Sequence, residues 1–334
     1  MSSILLLGGD GYTGWPLCLK LARRYPEREI VVVDNFTRRR LVEEVGGNSL
    51  LPVRSMPERL EALRRIYDLN NVVFYEFDVN SPRLEEVLRE HKPDIIYHLA
   101  QQASAGYSMK GVDEALFTIQ NNELGNMRLL WSIRCTVPHA HLIKLGSFGE
   151  YAKTGLEIAE GYFFPEYKGQ KATVKTPYPR KSDDIYHITK INDTNFIAMA
   201  CEQWGMKITD IMQATIVGTQ TEEIQDHPEL FTRFDYDSTF GTVLNRFMAQ
   251  VLCKYPLTIY GSGHQRTGLM HIEDSMTSLV NLAESVPDAG EHRVINHVTE
   301  QRYSINEIAD MVKLVAERKG HSVDFLRGEF DPRV

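Results

Sequence analysis

The stretch "GGDGYTGWPL", Gly8 to Leu17, follows a four-residue apolar run, Ile4 to Leu7. Gly8, Gly11 and Gly14 stand three apart. A short apolar run bounded by glycine reads as a buried strand, and the residues behind it read as a helix. Each glycine then has its own task. Gly8 permits the tight turn off the strand, Gly11 lets the backbone approach a pyrophosphate, and Gly14 lets the helix pack close to the sheet. The helix N-terminus offers free N–H groups and a positive dipole end to the phosphates. Such a site needs an acidic residue about twenty positions further on, and Asp34 closes the next apolar run, "VVVDN". Asp34 suits the ribose hydroxyls of NAD and would repel the extra phosphate of NADP. Arg38, Arg39 and Arg40 follow and read as a solvated basic run. Asp78 and Val79 end a third apolar run, where they reach the adenine or cap a helix.

Strand-like runs recur at 4–7, 29–34, 72–78, 94–99, 142–145 and 208–216. Helix-like stretches at 15–24, 82–91, 122–134 and 186–202 lie between them. This alternation predicts βαβ units and an α/β fold, a Rossmann-type doubly wound parallel sheet. After about residue 219 the pattern loosens. A polar stretch, 219–237, precedes a helix near 241–253, a strand at 257–260, and further elements at 269–272, 275–284, 293–298 and 304–318. The expected organisation is a mainly dinucleotide-binding region, 1–218, and a smaller C-terminal α/β substrate lobe, 219–334, with interleaving segments.

The 334 residues are enough for one two-lobed domain or two ordinary ones. A hydrophobic content of 43% and a charged content of 25% fit a globular protein without a membrane span. The net charge of −8 argues against bulk nucleic-acid binding, although a local basic pocket can still hold a small anion. Cys18, Cys135, Cys201 and Cys253 lie far apart with no CxxC, so they read as reduced core cysteines of a cytoplasmic protein and not as a disulfide or zinc framework. The chain enters a strand at once, which predicts no signal peptide. Its last residues, 331–334, carry no helical pattern, which suggests that a further segment follows.

"YHITK" places Tyr186 and Lys190 four apart at a helix start, so both project from one face. A neighbouring ammonium and an oxidised nicotinamide both favour the phenolate of a tyrosine. Ser147, in "LGSFGEY", stands just past a strand and can hydrogen-bond a reacting oxygen. With the glycine motif upstream, this set resembles that of the short-chain dehydrogenase/reductase superfamily. "HLA" at 98–100 and "NNELG" at 121–125 resemble its extended, nucleotide-sugar branch.

Further stretches narrow the resemblance. These are the long insert after Asp34, "AGYSM" at 105–109, "FDYDSTFGTVLNRF" at 234–247, "MQATIVG" at 212–218 and "YGSGHQ" at 260–265. Together they resemble the UDP-sulfoquinovose synthase family over essentially the whole chain. The resemblance implies NAD as cofactor and UDP-glucose and sulfite as substrates, in a class formally grouped with hydrolases acting on carbon–sulfur bonds. It implies C4 oxidation with Tyr186 as base, Ser147 assisting and Lys190 tuning Tyr186. Loss of the C5 proton and C6 hydroxyl follows, then sulfite addition at C6 and re-reduction at C4. It places Tyr12, Thr13, Asn35, Arg38, Leu99, Ala100 and Ile216 around the cofactor. It places Asn121, Gln213, Arg246, Gln265 and Arg266 around the nucleotide sugar, in a homodimer or higher homo-oligomer.

The chain also departs from the family. Ala103 replaces an arginine near the active site, and the arginine of "GGQTRGY" moves to Arg266, with Thr267 in its place. The 4,6-dehydratases carry an Asp-Glu pair where this chain has Phe148 and Gly149. His187 and Glu150 are the expected substitutes for the elimination. A 4-epimerase or 4,6-dehydratase, and a non-catalytic NAD-binding regulator, are the alternative readings.

Overall fold

The computed structural model describes residues 3–152 and 157–328; the tail at 331–334 lies outside them. β1 (Ile4–Leu7) leads into α1 (Gly14–Arg24) and β2 (Ile30–Asp34). α2 (Thr37–Glu44) and α3 (Met56–Tyr67) precede β3 (Val72–Glu76), α4 (Arg83–His91) and β4 (Ile95–His98). α5 (Ala105–Ser108) and α6 (Val112–Ile119) continue through a π-helical turn, Gln120–Leu124, into α7 (Gly125–Thr136) and β5 (His141–Leu145). Four two-residue strands, β6 (Tyr162–Phe163), β7 (Glu166–Tyr167), β8 (Gln170–Lys171) and β9 (Thr176–Pro177), form two small antiparallel pairs. α8 (Ile185–Trp204), β10 (Lys207–Gln213), β11 (Thr215–Val217) and α9 (Val243–Leu252) follow. The chain ends its described part with β12 (Leu257–Tyr260), β13 (Arg266–His271), α10 (Ile272–Leu282), β14 (His292–His297), β15 (Arg302–Ser304), α11 (Ile305–Arg318) and β16 (Phe325–Gly328).

Seven parallel strands build the main sheet in the order β14-β10-β5-β4-β1-β2-β3. Ile4 and Leu6 face one helical layer, with α1, α3 and α10, while Leu5 and Leu7 face the other, with α4, α7 and α8. Both faces are covered, so the strand is apolar throughout and does not alternate. The chain winds one way from β1 through β2 to β3 and the other way from β4 to β5. At that reversal the C-terminal ends of β1 and β4 part, and a crevice opens between their loops.

A separate apolar cluster, with Phe247, Val251, Leu257, Ile259 and Ile308, joins α9, β12 and α11 into the smaller lobe. α10 and β14 belong to the main layer, Met276 and Leu279 packing in the core around α1. The lobe is therefore built from separate pieces of chain.

Three expectations change. The strand read over 208–216 is two strands in two sheets, parted at Ala214, whose N–H donates to the carbonyl of His297. The helix read from 122 begins far earlier, because α6 runs through the π-turn without a break. The long insert holds two helices, and α3 carries a full capping box between Ser55 and Glu58. Of the arginines after Asp34, Arg40 is exposed as expected, but Arg38 and Arg39 are not solvated. Arg39 forks onto Asp10 at 2.7 and 2.6 Å, and Arg38 meets Asp235 at 3.0 Å while stacking on Phe240.

Candidate active site

A cleft of about 1920 Å³ runs from the end of β1, across the start of α8, to the smaller lobe. That volume is room for two nucleotide-sized ligands, since a drug-sized site occupies roughly 300–1,000 Å³. Gly8, Gly11, Tyr12, Thr13, Asp34, Asn35, Arg38, Asp78, Val79, Leu99, Ala100 and Ile216 line one part of it. Ser147, Tyr186, His187 and Lys190 line the middle, and Asn121, Gln213, Arg246, Gln265 and Arg266 also reach it.

Two expected residues do not line the cleft. Gly14 sits behind it, where a Cβ would stand 1.9 Å from the carbonyl oxygen of Gly8, so its role is helix-on-strand packing. Glu150 is fully buried. Its Oε1 accepts from the N–H of Ser147 at 2.9 Å, and its Oε2 accepts from Arg180 at 2.5 Å and from the Thr194 hydroxyl at 3.0 Å. Held by Ser147, Arg180 and Thr194, it stands behind the cleft lining.

At the end of β1 the glycine turn packs tightly against neighbouring backbone. Gly8 has φ +90°, and a Cβ there would meet the backbone of Leu99 and Ala100 at 2.8 Å. Thr13 caps α1 without a side-chain hydrogen bond, so the helix N-terminus is not closed by its own cap. The carboxylate of Asp34 accepts from the N–H of Asp10 and of Phe36, both at 2.8 Å. Burial, helped by the nearby Asp10 charge, pushes its pKa up to about 6. The side chain of Asp10 is held by Arg39 and, at 3.1 Å, by the fully buried Arg59. The insert thus fastens the glycine loop from outside. Asp78 accepts from Asn35 and from the N–H of Asn80, so it holds the turn after β3 and does not cap α4, whose N-cap is Pro82.

α8 begins at Asp184, which accepts from the N–H of His187, and ends at Gly205 in the left-handed region. Tyr186, Thr189, Lys190, Asp193, Thr194 and Ile197 form its buried stripe. A buried stripe at helical spacing is normally apolar. Here it carries a tyrosine, a lysine and an aspartate, and it lies against polar groups of β5 and β10. Lys190 donates to the carbonyl of Leu145 at 2.7 Å and to the side chain of Gln101, which in turn donates to Asp193 at 2.6 Å. Behind them Lys144, fully buried, lies 3.7 Å from both Asp193 and Asp210. Burial, then the charge of Lys144, lowers the pKa of Lys190.

Tyr186 differs from expectation. Burial first, then the charge of Glu150, pushes its pKa well above the ordinary value; only the hydrogen bond to Ser147 works the other way. Desolvation of the buried phenolate is the largest effect. His187 packs on Tyr186, with ring centroids 4.6 Å apart, and its Nδ1 lies 2.6 Å from Asp184. A Cβ on Gly149 would stand 2.2 Å from His187 Nε2.

At the sugar end Arg246 stacks on Tyr260 at 4.6 Å. Gln213 donates to the carbonyl of Ala214 and accepts from Ser275. Arg266 pairs with Glu307 at 3.3 Å and is half exposed. Sequence reading missed Gln101, Lys144, Asp193 and Arg180, which carry no motif. It also missed Asp184, although an Asp before an apolar run is a helix-start signal.

This glycine loop, acidic strand end and Ser-Tyr-Lys set belong to a dinucleotide-dependent enzyme acting within the sheet crevice. Residues 4–296 match the NAD dependent epimerase/dehydratase family, and the chain belongs to it. Its cofactor is NAD. Solved relatives share the fold. A UDP-glucuronic acid 4-epimerase from Bacillus cereus, in complex with UDP-glucuronic acid and NAD, superposes with a TM-score of 0.71 at 19% identity, covering 99% of this chain and 87% of that one. A UDP-glucose 4-epimerase from Thermotoga maritima, with UDP-glucose, gives 0.67 at 19% identity, covering 99% and 88%.

Sequence relatives place the chain more narrowly. It is 39% identical to a UDP-sulfoquinovose synthase of Sulfolobus acidocaldarius, over 99% of this chain and 83% of the relative. It is 37% identical to a chloroplastic UDP-sulfoquinovose synthase of Spinacia oleracea, over 99% of this chain and 67% of the relative. Within the larger family the chain belongs to the UDP-sulfoquinovose synthases. It is an NAD-dependent enzyme.

Proposed function

We propose that the protein joins UDP-glucose and sulfite into UDP-sulfoquinovose and water. The observation that carries this reading is His187 lodged over Gly149 beside Tyr186, in the cleft that also holds Ser147 and Lys190. Gly149 takes the place of the dehydratases' second acid, and the imidazole fills the room it leaves.

Gly8, Gly11, Tyr12, Thr13, Asp34, Asn35, Val79, Leu99 and Ala100 hold the dinucleotide, whose contribution is a reversible two-electron oxidation at C4. Tyr186 takes the proton of the C4 hydroxyl, with Ser147 bonded to the same oxygen. Lys190, fixed by Gln101 and Leu145, supplies positive charge beneath the tyrosine. The resulting C4 ketone acidifies C5–H. His187 Nε2 takes that proton, the electron pair forms the C5=C6 bond, and the C6 hydroxyl leaves as water after protonation. The lone pair of sulfite sulfur then bonds to C6, C5 regains a proton, and C4 is reduced. Arg246 meets the diphosphate as a planar fork, and Asn121, Gln213, Gln265 and Arg266 hold sugar and uridine.

The test is a single incubation with UDP-glucose and sulfite. A product heavier than UDP-glucose by SO2 is expected only when sulfite is present; an epimer or a stable 4-keto sugar in its absence would overturn the reading. We also propose a homodimer and a reducing, cytoplasmic setting. Val112, Leu116 and Ile119 form an exposed apolar stripe on α6, next to exposed Leu124 and Trp131. All four cysteines are free; Cys18 and Cys201 are buried, whereas Cys135 and Cys253 are exposed and not the core residues expected of them. Among the described residues no helix is long and apolar enough to cross a membrane.

A further inference from the structure

The carboxylate of Asp184 does two things at once. Oδ1 accepts from the backbone N–H of His187 at 2.9 Å, which caps α8. Oδ2 meets the imidazole Nδ1 of the same residue at 2.6 Å and also accepts from Ser182 at 3.2 Å. The ring is gripped at Nδ1, while its far edge, Nε2 with Cδ2 and Cε1, lies over Gly149 at the cleft wall. A cap alone needs only the first contact, and serine or asparagine would serve equally well. The second contact is what a carboxylate adds.

A carboxylate can only accept. Its partner nitrogen therefore carries the hydrogen, and the lone pair of the neutral ring is left on Nε2. We propose that Asp184 is a positioning residue for the elimination, holding His187 in the Nδ1–H tautomer with Nε2 aimed into the cleft as proton acceptor. This rests on the assignment of C5 deprotonation to His187. When the proton leaves C5, its bonding pair passes into C5=C6, Nε2–H forms, and the imidazolium is balanced by the Asp184 carboxylate at Nδ1. Gly149 completes the arrangement, since a side chain there would displace the ring.

Asp184→Asn separates the two contacts. Asparagine caps a helix as well as aspartate does, so Oδ1 keeps the His187 N–H. The amide Nδ2 then faces Nδ1 and donates to it, which forces the hydrogen onto Nε2 and removes the acceptor. In a serine-histidine-aspartate triad the equivalent tautomer error costs about 10⁴-fold. The experiment measures three quantities on holoenzyme with UDP-glucose: cofactor reduction on mixing, exchange of the C5 proton with deuterated water, and the His187 tautomer by ¹⁵N spectra of histidine-labelled protein. For Asp184→Asn we expect cofactor reduction within about threefold of wild type, C5 exchange down about 10²- to 10⁴-fold, and an Nε2–H ring. His187→Ala should lose C5 exchange similarly, and the double variant should lose no more, because the two act as one unit.

If His187→Ala loses exchange while Asp184→Asn exchanges at the wild-type rate, Asp184 is only a helix cap and the proposal falls. An unchanged tautomer in Asp184→Asn also overturns it. If His187→Ala itself exchanges normally, the assignment of His187 falls and the proposal with it. Asp184→Ser, which keeps a cap acceptor and has nothing to reach Nδ1, is the second variant should the asparagine protein not fold. It is expected to lose exchange with cofactor reduction retained.

Discussion

Oε2 of Glu150 lies 2.5 Å from a guanidinium nitrogen of Arg180, and both side chains are buried. The pair ties the loop after β5 to the chain ahead of α8, and Glu150 also accepts from the Ser147 N–H at 2.9 Å.

Glu150→Gln should therefore act on stability and not on one chemical step. Removing one partner of a buried ion pair leaves the other charge uncompensated, at a cost of about 3–5 kcal/mol. Thermal unfolding should shift down strongly. Cofactor reduction and C5 exchange should fall together, in proportion to folded protein. A selective loss of C5 exchange at unchanged melting temperature would return Glu150 to the chemistry.

Tyr186→Phe should keep the fold and bound dinucleotide while cofactor reduction by UDP-glucose drops about 10²- to 10⁴-fold. Tyr186 is only 8% exposed and burial already favours its neutral form, so losing the hydroxyl costs little structure. Stopped-flow absorbance with UDP-glucose measures this directly, and turnover near wild type would take Tyr186 out of the mechanism.

Asp34 gives two pH effects of opposite sign. Its pKa in the fold is raised to about 6 from an ordinary carboxylate value near 3.8. A raised carboxyl holds its proton more tightly when folded, so its contribution to stability declines as pH rises through that window and is flat above it. Asp34→Asn should remove this decline in the dinucleotide-free protein. Binding runs the other way, because ribose hydroxyls need the ionised carboxylate as acceptor. NAD should co-purify at neutral pH, with NADP absent by mass spectrometry, and affinity should weaken as pH falls below about 6. Affinity that is independent of pH between 4 and 8 would contradict the role given to Asp34.

Gly14→Ala should destabilise the protein and empty the cofactor site. The added Cβ would lie 1.9 Å from the Gly8 carbonyl oxygen, a backbone atom that cannot swing aside. Overpacking of this kind costs about 1–3 kcal/mol or more. Calorimetry and the absorbance of released NAD measure the two losses.

Gly149→Ala should leave C4 oxidation intact and depress C5 exchange. The new methyl would sit 2.2 Å from His187 Nε2, so the ring must turn away while Tyr186 stays in place. Cofactor reduction and exchange, measured side by side, separate this from general damage.

The sequence by itself determined the strand–helix alternation behind the sheet, the glycine turn that opens it and the helical face that Tyr186 and Lys190 share. Ile4–Leu7, three glycines and Asp34 act over fewer than forty residues, and Tyr186 and Lys190 are fixed by the helical repeat alone. Local conformation and short-range spacing are properties a linear pattern carries. Only the tertiary structure decided what Glu150, Asp184 and the arginines after Asp34 do. Glu150 looked like an acid because it is three residues from Ser147; its meeting with Arg180 and Thr194, far along the chain, buries it instead. Arg38 meets Asp235 across 197 positions. Lys144, Asp193 and Asp210 become one cluster only when β5, α8 and β10 are packed together. A charge is read from its own residue, but its protonation and its use depend on which charges and how much water surround it, and packing alone sets those.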